Sequence, residues 1–344
     1  MKYRQLGKSG LLVSELCFGA MTFGGDGFWK LIGSLPFENS KRLVDIALDG
    51  GINFFDTADV YSFGMSEEFL GKALGDRRKD IILATKVRGR MSKNLNDVGL
   101  SRHHILNGCN ESLKRLATDY IDLYIVHSFD FITPLEETLS ALNDLVGQGK
   151  VRYLGVSNYA AWQLMKALSI SERKNLEKFV SLQALYSLLS RDLENELVPL
   201  CLDQGIGITP WSPLYGGFLT GKFRRGMPGP SESRRGKEQY NFLQINEDKA
   251  YAIVDELEII SKKYNATIAQ SALNYLLRKP GVSSVIISAT KPEQLEDNLK
   301  TVDWILAADD IAKLDALSSP YKPYPHWMLE MTRRDRENPD NIRR

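Results

Sequence analysis

Four side chains with complementary chemistry stand at or near the ends of apolar, strand-like stretches. Residues 52–55 lead into Asp56, two later strand-like stretches end in Lys86 and His127, and Tyr61 follows Asp56 by five positions. A tyrosine, with a pKa of about 10, is a poor acid at neutral pH, but a neighbouring lysine ammonium favours the phenolate and lowers that pKa. Asp56 would hold Lys86 in place, and His127 would donate a hydrogen bond to a carbonyl oxygen. This set suits the protonation of an oxygen that gains negative charge, as carbonyl reduction requires.

Each of the four residues also has a structural explanation. Asp56 could be a buried acid with a structural partner, and Lys86 could be a strand-end lysine in water. His127 could be a hydrogen-bonded core histidine, and Tyr61 a loop aromatic packed on a rim. Their arrangement favours a site, because three consecutive predicted strands end in ionisable residues. Neighbouring strands lie about 4.8 Å apart, so side chains at matching heights would converge.

The elements that must position these residues alternate between strand-like and helix-like segments. Such alternation requires parallel strands, since each helix must return the chain to the same edge of the sheet. Eight units favour an α/β fold of the (β/α)8 TIM barrel type, whose active site lies at the carboxyl ends of the strands. An open doubly wound sheet remains the alternative, because order alone does not show closure. The predicted strands span 17–21, 52–58, 81–87, 121–127, 151–157, 179–186, 207–213 and 282–288.

The remaining segments complete this architecture. Residues 2–7 and 11–16 flank a Gly- and Ser-containing turn and predict an N-terminal β-hairpin. No linker rich in Pro, Gly or Ser divides the chain, so we expect a single barrel domain over 1–318 and a polar C-terminal tail over 319–344. The basic, Gly- and Pro-rich stretch 222–241 is typical of a long loop, and long loops of this fold usually serve the active-site face.

Composition excludes several classes of function. The 344 residues are 43% hydrophobic and 25% charged, as in a soluble globular protein, and the formal charge of +1 gives no footprint for nucleic acid. Three cysteines (Cys17, Cys109 and Cys201) without a CxxC pair argue against a disulfide framework or a structural zinc site, and no metal is predicted. The N-terminus lacks the apolar core of a signal peptide, and no run of about 18 apolar residues occurs. We therefore expect a cytoplasmic protein without a membrane partner.

Several short motifs follow one another along the chain: Asp56-Thr57-Ala58-Asp59-Val60-Tyr61, Gly64-x-Ser66-Glu67, Thr85-Lys86, Asp122-Leu123-Tyr124-x-x-His127, Gly155-Val156-Ser157-Asn158, Gln183, Trp211-Ser212-Pro213-Leu214 and Gln294-x-x-x-Asn298. In this order they resemble the motifs of the aldo-keto reductase family. The resemblance implies a (β/α)8 barrel that reduces aldehydes and ketones with a nicotinamide cofactor, usually NADPH. It places the family's catalytic tetrad on Asp56, Tyr61, Lys86 and His127, with Tyr61 as the general acid. The chain looks most similar to the bacterial branch that also resembles potassium-channel β-subunits.

The cofactor is expected to lie extended across the barrel mouth, as the resemblance implies. No G-x-G-x-x-G follows a predicted strand, so a Rossmann site is unsupported. Ser157, Asn158 and Gln183 suit a carboxamide, and Trp211 offers a flat face for ring stacking. Rim packing for Trp211 and a turn position for Asn158 are the alternatives. The resemblance further assigns to the cofactor the positions Ser212, Leu214, Gly216, Lys222, Ser288, Thr290, Lys291, Gln294 and Asn298.

Two lysines are predicted to contact phosphate groups. Lys222, with the turn at 214–217, is placed for the pyrophosphate, and Lys291 at the start of the eighth helix would attract a 2′-phosphate and favour NADPH over NADH. A solvated Lys291 is the alternative. Gly216-x-x-x-x-Gly221-Lys222 also imitates a phosphate-binding P-loop, but Phe223 stands where a Ser or Thr hydroxyl should bind magnesium.

Loop aromatics at the same barrel face are the candidates for substrate contact, foremost Trp29 and Phe129. They could form an apolar pocket for a small-molecule carbonyl substrate, or only hold loops in place. The leading hypothesis is an NADPH-dependent reductase in which hydride leaves nicotinamide C4 and Tyr61 delivers the proton. The alternative is an NADP(H)-binding sensor or interaction protein of the channel β-subunit type with weak catalysis. The sequence leaves open the substrate, the direction of reaction and whether the protein is a monomer or a homo-oligomer.

Overall fold

Ten strands and eleven α-helices form in the part of the chain that the computed structural model describes, residues 1–25, 27–227, 229–230 and 243–337. The strands are β1 (Tyr3–Gln5), β2 (Leu12–Ser14), β3 (Leu16–Gly19), β4 (Phe54–Asp56), β5 (Ile82–Val87), β6 (Ile121–Val126), β7 (Val151–Ser157), β8 (Phe179–Leu185), β9 (Gly207–Trp211) and β10 (Val285–Ile287). The helices are α1 (Phe37–Asp49), α2 (Met65–Leu74), α3 (Arg102–Arg115), α4 (Leu135–Gly147), α5 (Ala161–Lys174), α6 (Leu197–Gln204), α7 (Glu247–Lys263), α8 (Ile268–Leu277), α9 (Pro292–Leu299), α10 (Ala308–Leu317) and α11 (His326–Glu337).

Eight of the strands form one parallel sheet that curls into a barrel. Their order is β10-β3-β4-β5-β6-β7-β8-β9. The two edges approach each other next to β10, where Ile208 of β9 pairs with Val282 and accepts a 2.9 Å hydrogen bond from the Ser283 amide. The predicted (β/α)8 TIM barrel is therefore confirmed, and the open-sheet alternative is wrong.

Strand periodicity decides which side chains enter the barrel. The interior cluster includes Ala84 of β5, together with Leu123 and Ile125 of β6. Side chains two residues apart share a face, so Lys86 also points into the barrel while Thr85 points outward, toward the helices. The same alternation carries His127, two residues beyond Ile125, to the carboxyl end of the barrel.

The N-terminal hairpin, formed by antiparallel pairing of β1 and β2, confirms that prediction. Leu6 and Val13 are fully buried and belong to the interior cluster of the barrel. Gly7 has φ of +61°, and a Cβ on it would lie 2.4 Å from the Gly205 carbonyl oxygen, so only glycine allows this close approach. The hairpin thus covers the end of the barrel opposite to the carboxyl ends of the strands.

The C-terminal region contains helices that the sequence interpretation did not separate. Helix α10 follows α9, and its signal was present in Asp309 and Asp310 of the first turn and in the apolar spacing of Ile311, Leu314 and Leu317. Helix α11 lies within the segment predicted as a polar tail. Most of the predicted loop 222–241 falls outside the described residues. No helix of the described chain is long and apolar enough to cross a membrane.

Candidate active site

A cavity of about 1040 Å³ opens at the carboxyl ends of the barrel strands. It contains nearly every position that the sequence nominated. Those that line it are Trp29, Asp56, Tyr61, His127, Ser157, Asn158, Gln183, Trp211, Ser212, Leu214, Gly216, Lys222, Ser288, Thr290, Lys291, Gln294 and Asn298. Among the nominated residues in the described chain, Lys86 and Phe129 are not part of the lining.

Lys86 lies beneath the floor of the cavity and connects its neighbours. The side chain is fully buried, and its Nζ donates to Asp56 Oδ1 at 2.6 Å, to the Thr57 carbonyl oxygen at 2.6 Å and to the Tyr61 hydroxyl at 3.3 Å. Asp56 ends β4 and Lys86 lies on the adjacent strand β5, so parallel pairing brings the two groups together. The expected contacts among Asp56, Lys86 and Tyr61 are present.

The charge state of this cluster differs in one respect from the sequence expectation. Burial acts to lower the pKa of Lys86, but the charges of Asp56 and then Tyr61 outweigh it, so the pKa lies above its ordinary value and the ammonium is retained. Burial raises the pKa of Tyr61, and the lowering by Lys86 is smaller, so the net direction is upward. The sequence predicted a lowered pKa because it revealed the lysine but not the extent of desolvation.

The second carboxylate oxygen of Asp56 also accepts a hydrogen bond. Gln183, at the inner face of β8, donates from Nε2 to Asp56 Oδ2 at 2.8 Å. Both carboxylate oxygens therefore have partners, which compensates for the burial of this charge at 3% exposure. The sequence nominated Gln183 only as a cofactor residue, and its contact with Asp56 depends on the packing of β8 across the barrel from β4.

His127 stands beside the tyrosine, with the two ring centroids 5.7 Å apart and nearly perpendicular. Its amide donates to the Val87 carbonyl oxygen at 3.0 Å, which fixes the end of β6 against β5. Burial, followed by the positive charges of Lys86 and Arg88, lowers the pKa of His127 to about 3. The imidazole is therefore neutral at physiological pH and has one N–H to donate and one nitrogen to accept.

This lowered pKa predicts a pH dependence of stability. Between about pH 3 and pH 6.5 the unfolded chain binds a proton on His127 that the folded chain does not, so stability falls as the pH drops through that range. We expect His127→Gln to make the free energy of unfolding less dependent on pH between 4 and 6.5, by at most about 1.4 kcal/mol per pH unit. Urea titrations across that range measure it. His103→Gln, at an exposed histidine, is the control; equal slopes in both variants would contradict the assignment.

The three residues predicted to hold the carboxamide, Ser157, Asn158 and Gln183, all line the cavity. Asn158 has φ of +53°, donates from Nδ2 to the His127 carbonyl oxygen at 2.9 Å and accepts from Trp211 Nε1 at 3.3 Å. The turn position of Asn158 is thus compatible with the predicted cofactor contact. Ser157 is 1% exposed, and its Oγ is buried without a hydrogen-bond partner among the described residues. A buried hydroxyl at the edge of a cavity is a site where a polar ligand group is favoured.

Of the two aromatic residues predicted to contact the substrate, Trp29 lines the cavity and Phe129 does not. Trp29 lies on the loop after β3 and packs edge-on against Tyr61, with ring centroids 5.2 Å apart. Phe129 instead packs against Phe131, Tyr159 and Trp162 outside the cavity, so its predicted substrate contact has no support in this arrangement. The sequence showed that both loops follow strands at the same barrel face but not which ring turns inward.

The far end of the cavity is formed by the segment before α9 and the start of that helix. Lys291 is exposed and precedes Pro292, the first residue of α9. Gln294 Oε1 accepts from the Thr290 amide at 3.0 Å and orders the turn. The helix N-terminus and the lysine together provide an environment that favours an anion.

The P-loop alternative is not supported. Residues Tyr215–Thr220 form a 3₁₀ turn after β9, with Gly216 and Gly217 in left-handed conformations. Phe223, which follows Lys222, is buried and stacks on Phe218 with the rings 3° from parallel. That position is a core residue and offers no hydroxyl for magnesium. Among the described residues, no group of three or more His, Cys, Asp or Glu side chains could hold a metal ion.

Sequence reasoning missed two kinds of residue. Lys30, from the loop that carries Trp29, also lines the cavity, and its position beside Trp29 was the available signal. Glu67 was noted only as part of a motif, yet it is fully buried. A charged residue in an otherwise amphipathic first turn of α2 gave no indication of that burial.

Comparison with known proteins agrees with this geometry. The model of the aldo/keto reductase family matches residues 15–319. The chain is 40% identical over 312 residues to a protein of Arabidopsis thaliana named "Probable voltage-gated potassium channel subunit beta", covering 89% of this chain and 92% of that one. It is 37% identical over 328 residues to the uncharacterized oxidoreductase YrpG of Bacillus subtilis (strain 168), covering 92% and 95%. It is 34% identical over 348 residues to the versiconal hemiacetal acetate reductase of Aspergillus parasiticus, covering 94% and 98%.

Both the extent of these matches and the barrel with its polar cavity lead to the same assignment. The family model spans most of the chain, and the relatives are matched over nearly their whole lengths. This chain therefore belongs to the aldo/keto reductase family of oxidoreductases.

Proposed function

We propose that the protein reduces an aldehyde or ketone to an alcohol with NADPH, with Tyr61 as the general acid. The observation that carries this proposal is the position of the Tyr61 hydroxyl. It lies 3.3 Å from the buried ammonium of Lys86, beside the neutral imidazole of His127, at the floor of the cavity. A carbonyl oxygen placed there would meet a proton donor, a hydrogen-bond donor and a fixed positive charge.

The four residues divide the work of proton transfer. The raised pKa of Tyr61 keeps the phenol protonated until the substrate oxygen gains negative charge. Lys86 then stabilises the phenolate that remains after the proton has left, and Asp56 holds the ammonium in position at 2.6 Å. His127 donates a hydrogen bond to the same oxygen and orients the carbonyl group. The chain thus supplies an environment prepared in advance for charge that develops during reaction.

The residues around the cavity fit a nicotinamide dinucleotide. Such a cofactor, when bound, supplies the hydride from C4 of its nicotinamide ring. Ser157, with its unpartnered buried Oγ, and the neighbouring amides of Asn158 and Gln183 would hold the carboxamide. Trp211 would stack on the ring. The residues that would contact the rest of the cofactor are Ser212, Leu214, Gly216, Lys222, Ser288, Thr290, Lys291, Gln294 and Asn298.

Removal of the charge on Lys291 tests the preference for NADPH. The 2′-phosphate is the only group that distinguishes NADPH from NADH, and loss of one charged contact weakens binding by about tenfold. We expect Lys291→Ala to raise KM for NADPH by about that factor and to leave KM for NADH unchanged. Steady-state kinetics with each cofactor measure the difference. Lys300→Ala, at an exposed lysine beyond the other end of α9, is the control; the same rise for both cofactors would show that Lys291 does not read the 2′-phosphate.

A panel of aldehydes and ketones, assayed with NADPH and with NADH, tests the proposed activity. We expect consumption of NADPH in the presence of at least one substrate class and loss of this consumption in Tyr61→Phe. The second candidate function, a cofactor-binding sensor or interaction protein, is favoured by the 40% identity to a protein named as a potassium-channel β-subunit. Tight NADPH binding with negligible turnover over the whole panel would support that candidate instead.

A further inference from the structure

A buried carboxylate lies on the outer side of the barrel wall, in the helix that follows the turn of Tyr61. Glu67 is fully buried in the first turn of α2. Its Oε1 accepts from the Thr85 hydroxyl at 2.5 Å, and its Oε2 accepts from Arg115 Nε at 2.7 Å. We call Glu67, Thr85 and Arg115 the Glu67 clamp. It joins three elements, α2, β5 and α3, through one carboxylate.

The clamp connects the two segments that carry the proton donor and its positive partner. Thr85 immediately precedes Lys86, and the two side chains point to opposite sides of β5. Helix α2 begins directly after the turn Tyr61–Gly64, which carries the tyrosine. A carboxylate at the start of α2 that holds Thr85 therefore fixes the Tyr61 turn relative to the strand of Lys86.

The turn needs such support because its backbone is unfavourable by itself. Ser62 and Phe63 have φ of 49° and 52°, in the left-handed region that side chains other than glycine adopt at a cost. Gly64 follows with φ of 96°, and a Cβ there would lie 2.6 Å from Arg115 Cδ. The stem of Arg115 thus packs against the end of the turn while its guanidinium holds Glu67. Surrounding contacts are what keep a strained segment in one conformation.

Asp59 is another buried carboxyl group near the clamp. Asp59, on the same loop, is 1% exposed, and its Oδ1 accepts from the Val60 amide at 2.6 Å while Oδ2 has no partner among the described residues. Burial, and then the charge of Glu67, raises the pKa of Asp59 well above its ordinary value. Glu67 has hydrogen bonds to both oxygens and is the carboxylate that pairs with Arg115. Loss of Glu67 would consequently leave Arg115 facing the turn without its partner.

We infer that Glu67 is a positioning residue that, through Thr85 and Arg115, sets the Tyr61 hydroxyl against Lys86 Nζ. The inference rests on the proposed role of Tyr61 as proton donor. It predicts that damage to the clamp slows the chemical step, because misplacement of a reacting group by a fraction of an ångström lowers the rate without affecting cofactor binding.

Substitutions at Thr85 test this with little change of shape. Thr85→Val removes the hydroxyl, and Thr85→Ser retains it. We expect Thr85→Val and Glu67→Gln to lower kcat by about 10–100-fold while KM for NADPH changes by less than about twofold, and Thr85→Ser to stay near the wild-type kcat. Thr138→Val is the matched control, since Thr138 is equally buried and donates to the Leu100 carbonyl oxygen, and neither residue lines the cavity. Equal losses in Thr85→Val and Thr138→Val, or in Thr85→Ser and Thr85→Val, would overturn the inference.

The same change in a chain that already lacks the acid distinguishes positioning from general damage. If Thr85 acts through Tyr61, Thr85→Val should lower the residual kcat of Tyr61→Phe by less than about twofold, because residues that act as a unit are not additive. A loss as large as that seen in the wild type would show that Thr85 acts by another route and would overturn the inference.

Hydrogen exchange separates this inference from the proposed activity. The Asp59 amide donates to the Lys86 carbonyl oxygen at 3.2 Å, and the Tyr61 amide donates to the Ala58 carbonyl oxygen at 3.2 Å. Both amides should exchange about tenfold faster in Thr85→Val than in Thr138→Val. If the wild type reduces no carbonyl compound, the proposed function fails while faster exchange still supports the clamp. Equal exchange in the two variants overturns the clamp whatever the activity.

Discussion

Replacement of Tyr61 by Phe is expected to lower kcat by about 10²–10⁴-fold, the contribution of a general acid, with NADPH affinity retained. The substitution removes one oxygen atom from a side chain that is 8% exposed, so the ring and its packing against Trp29 and His127 can remain. Lys86 keeps its bonds to Asp56 and to the Thr57 carbonyl oxygen. The decrease in kcat would therefore result from the missing proton donor and not from a disturbed fold. Steady-state kinetics and cofactor titration measure the two quantities separately.

A second tyrosine supplies the control for that experiment. Tyr159 is 3% exposed, and its hydroxyl is buried without a partner among the described residues. Tyr159→Phe is the same chemical change at similar burial outside the proposed tetrad, and we expect kcat to stay within about twofold of the wild type. A Tyr61→Phe variant with near wild-type kcat would eliminate Tyr61 as the acid.

Replacement of Lys86 by Met is expected to damage both stability and activity. Lys86 is fully buried, and its removal leaves the Asp56 carboxylate in the barrel without its charged partner. Loss of one member of a buried ion pair costs about 3–5 kcal/mol. We expect a decrease of that size in the free energy of unfolding, measured by urea titration. The kcat of the folded fraction should also fall, because nothing then stabilises the tyrosine phenolate.

Two further variants show whether the unpaired charge is the cause. The exposed pair of Lys41 and Asp45 has the same 2.6 Å separation, but Lys41→Met should cost less than about 1 kcal/mol because solvent screens both charges. Asp56→Leu combined with Lys86→Met removes both charges and should recover much of the stability but none of the activity. If the double variant is as unstable as Lys86→Met, the cost does not come from an unpaired Asp56.

Much of the site follows from local sequence pattern. The alternation of strand-like and helix-like segments predicts a barrel, and a barrel brings the ends of its strands to one face. Asp56 and His127 could therefore be placed at the cavity from periodicity, and Lys86 in the barrel interior beneath it by the same period of two. The predicted cofactor positions from Ser157 to Asn298, most of which came from the family resemblance, also line the cavity.

Other properties of the site could not be obtained from pattern. The pKa of Tyr61 depends on how completely neighbouring groups exclude water, and burial raises it where the sequence pattern predicts a lowered value. Phe129 and Trp29 occupy equivalent loops, but only the packing of each loop decides that Trp29 lines the cavity while Phe129 joins an exterior aromatic cluster. Helix α11 lies in a segment whose polar composition suggested only a tail.

The sequence by itself determined the barrel and the family, because these depend on local periodicity and on motifs with fixed spacing. The tertiary structure decided which groups touch and how charged they are. The bond from Gln183 to Asp56 spans 127 positions, and that from Thr85 to Glu67 joins a strand to a helix. Such contacts, and the desolvation that raises the pKa of Tyr61, depend on residues that are far apart in the sequence and adjacent only in the folded chain. Local periodicity and motif spacing do not specify which of these residues meet.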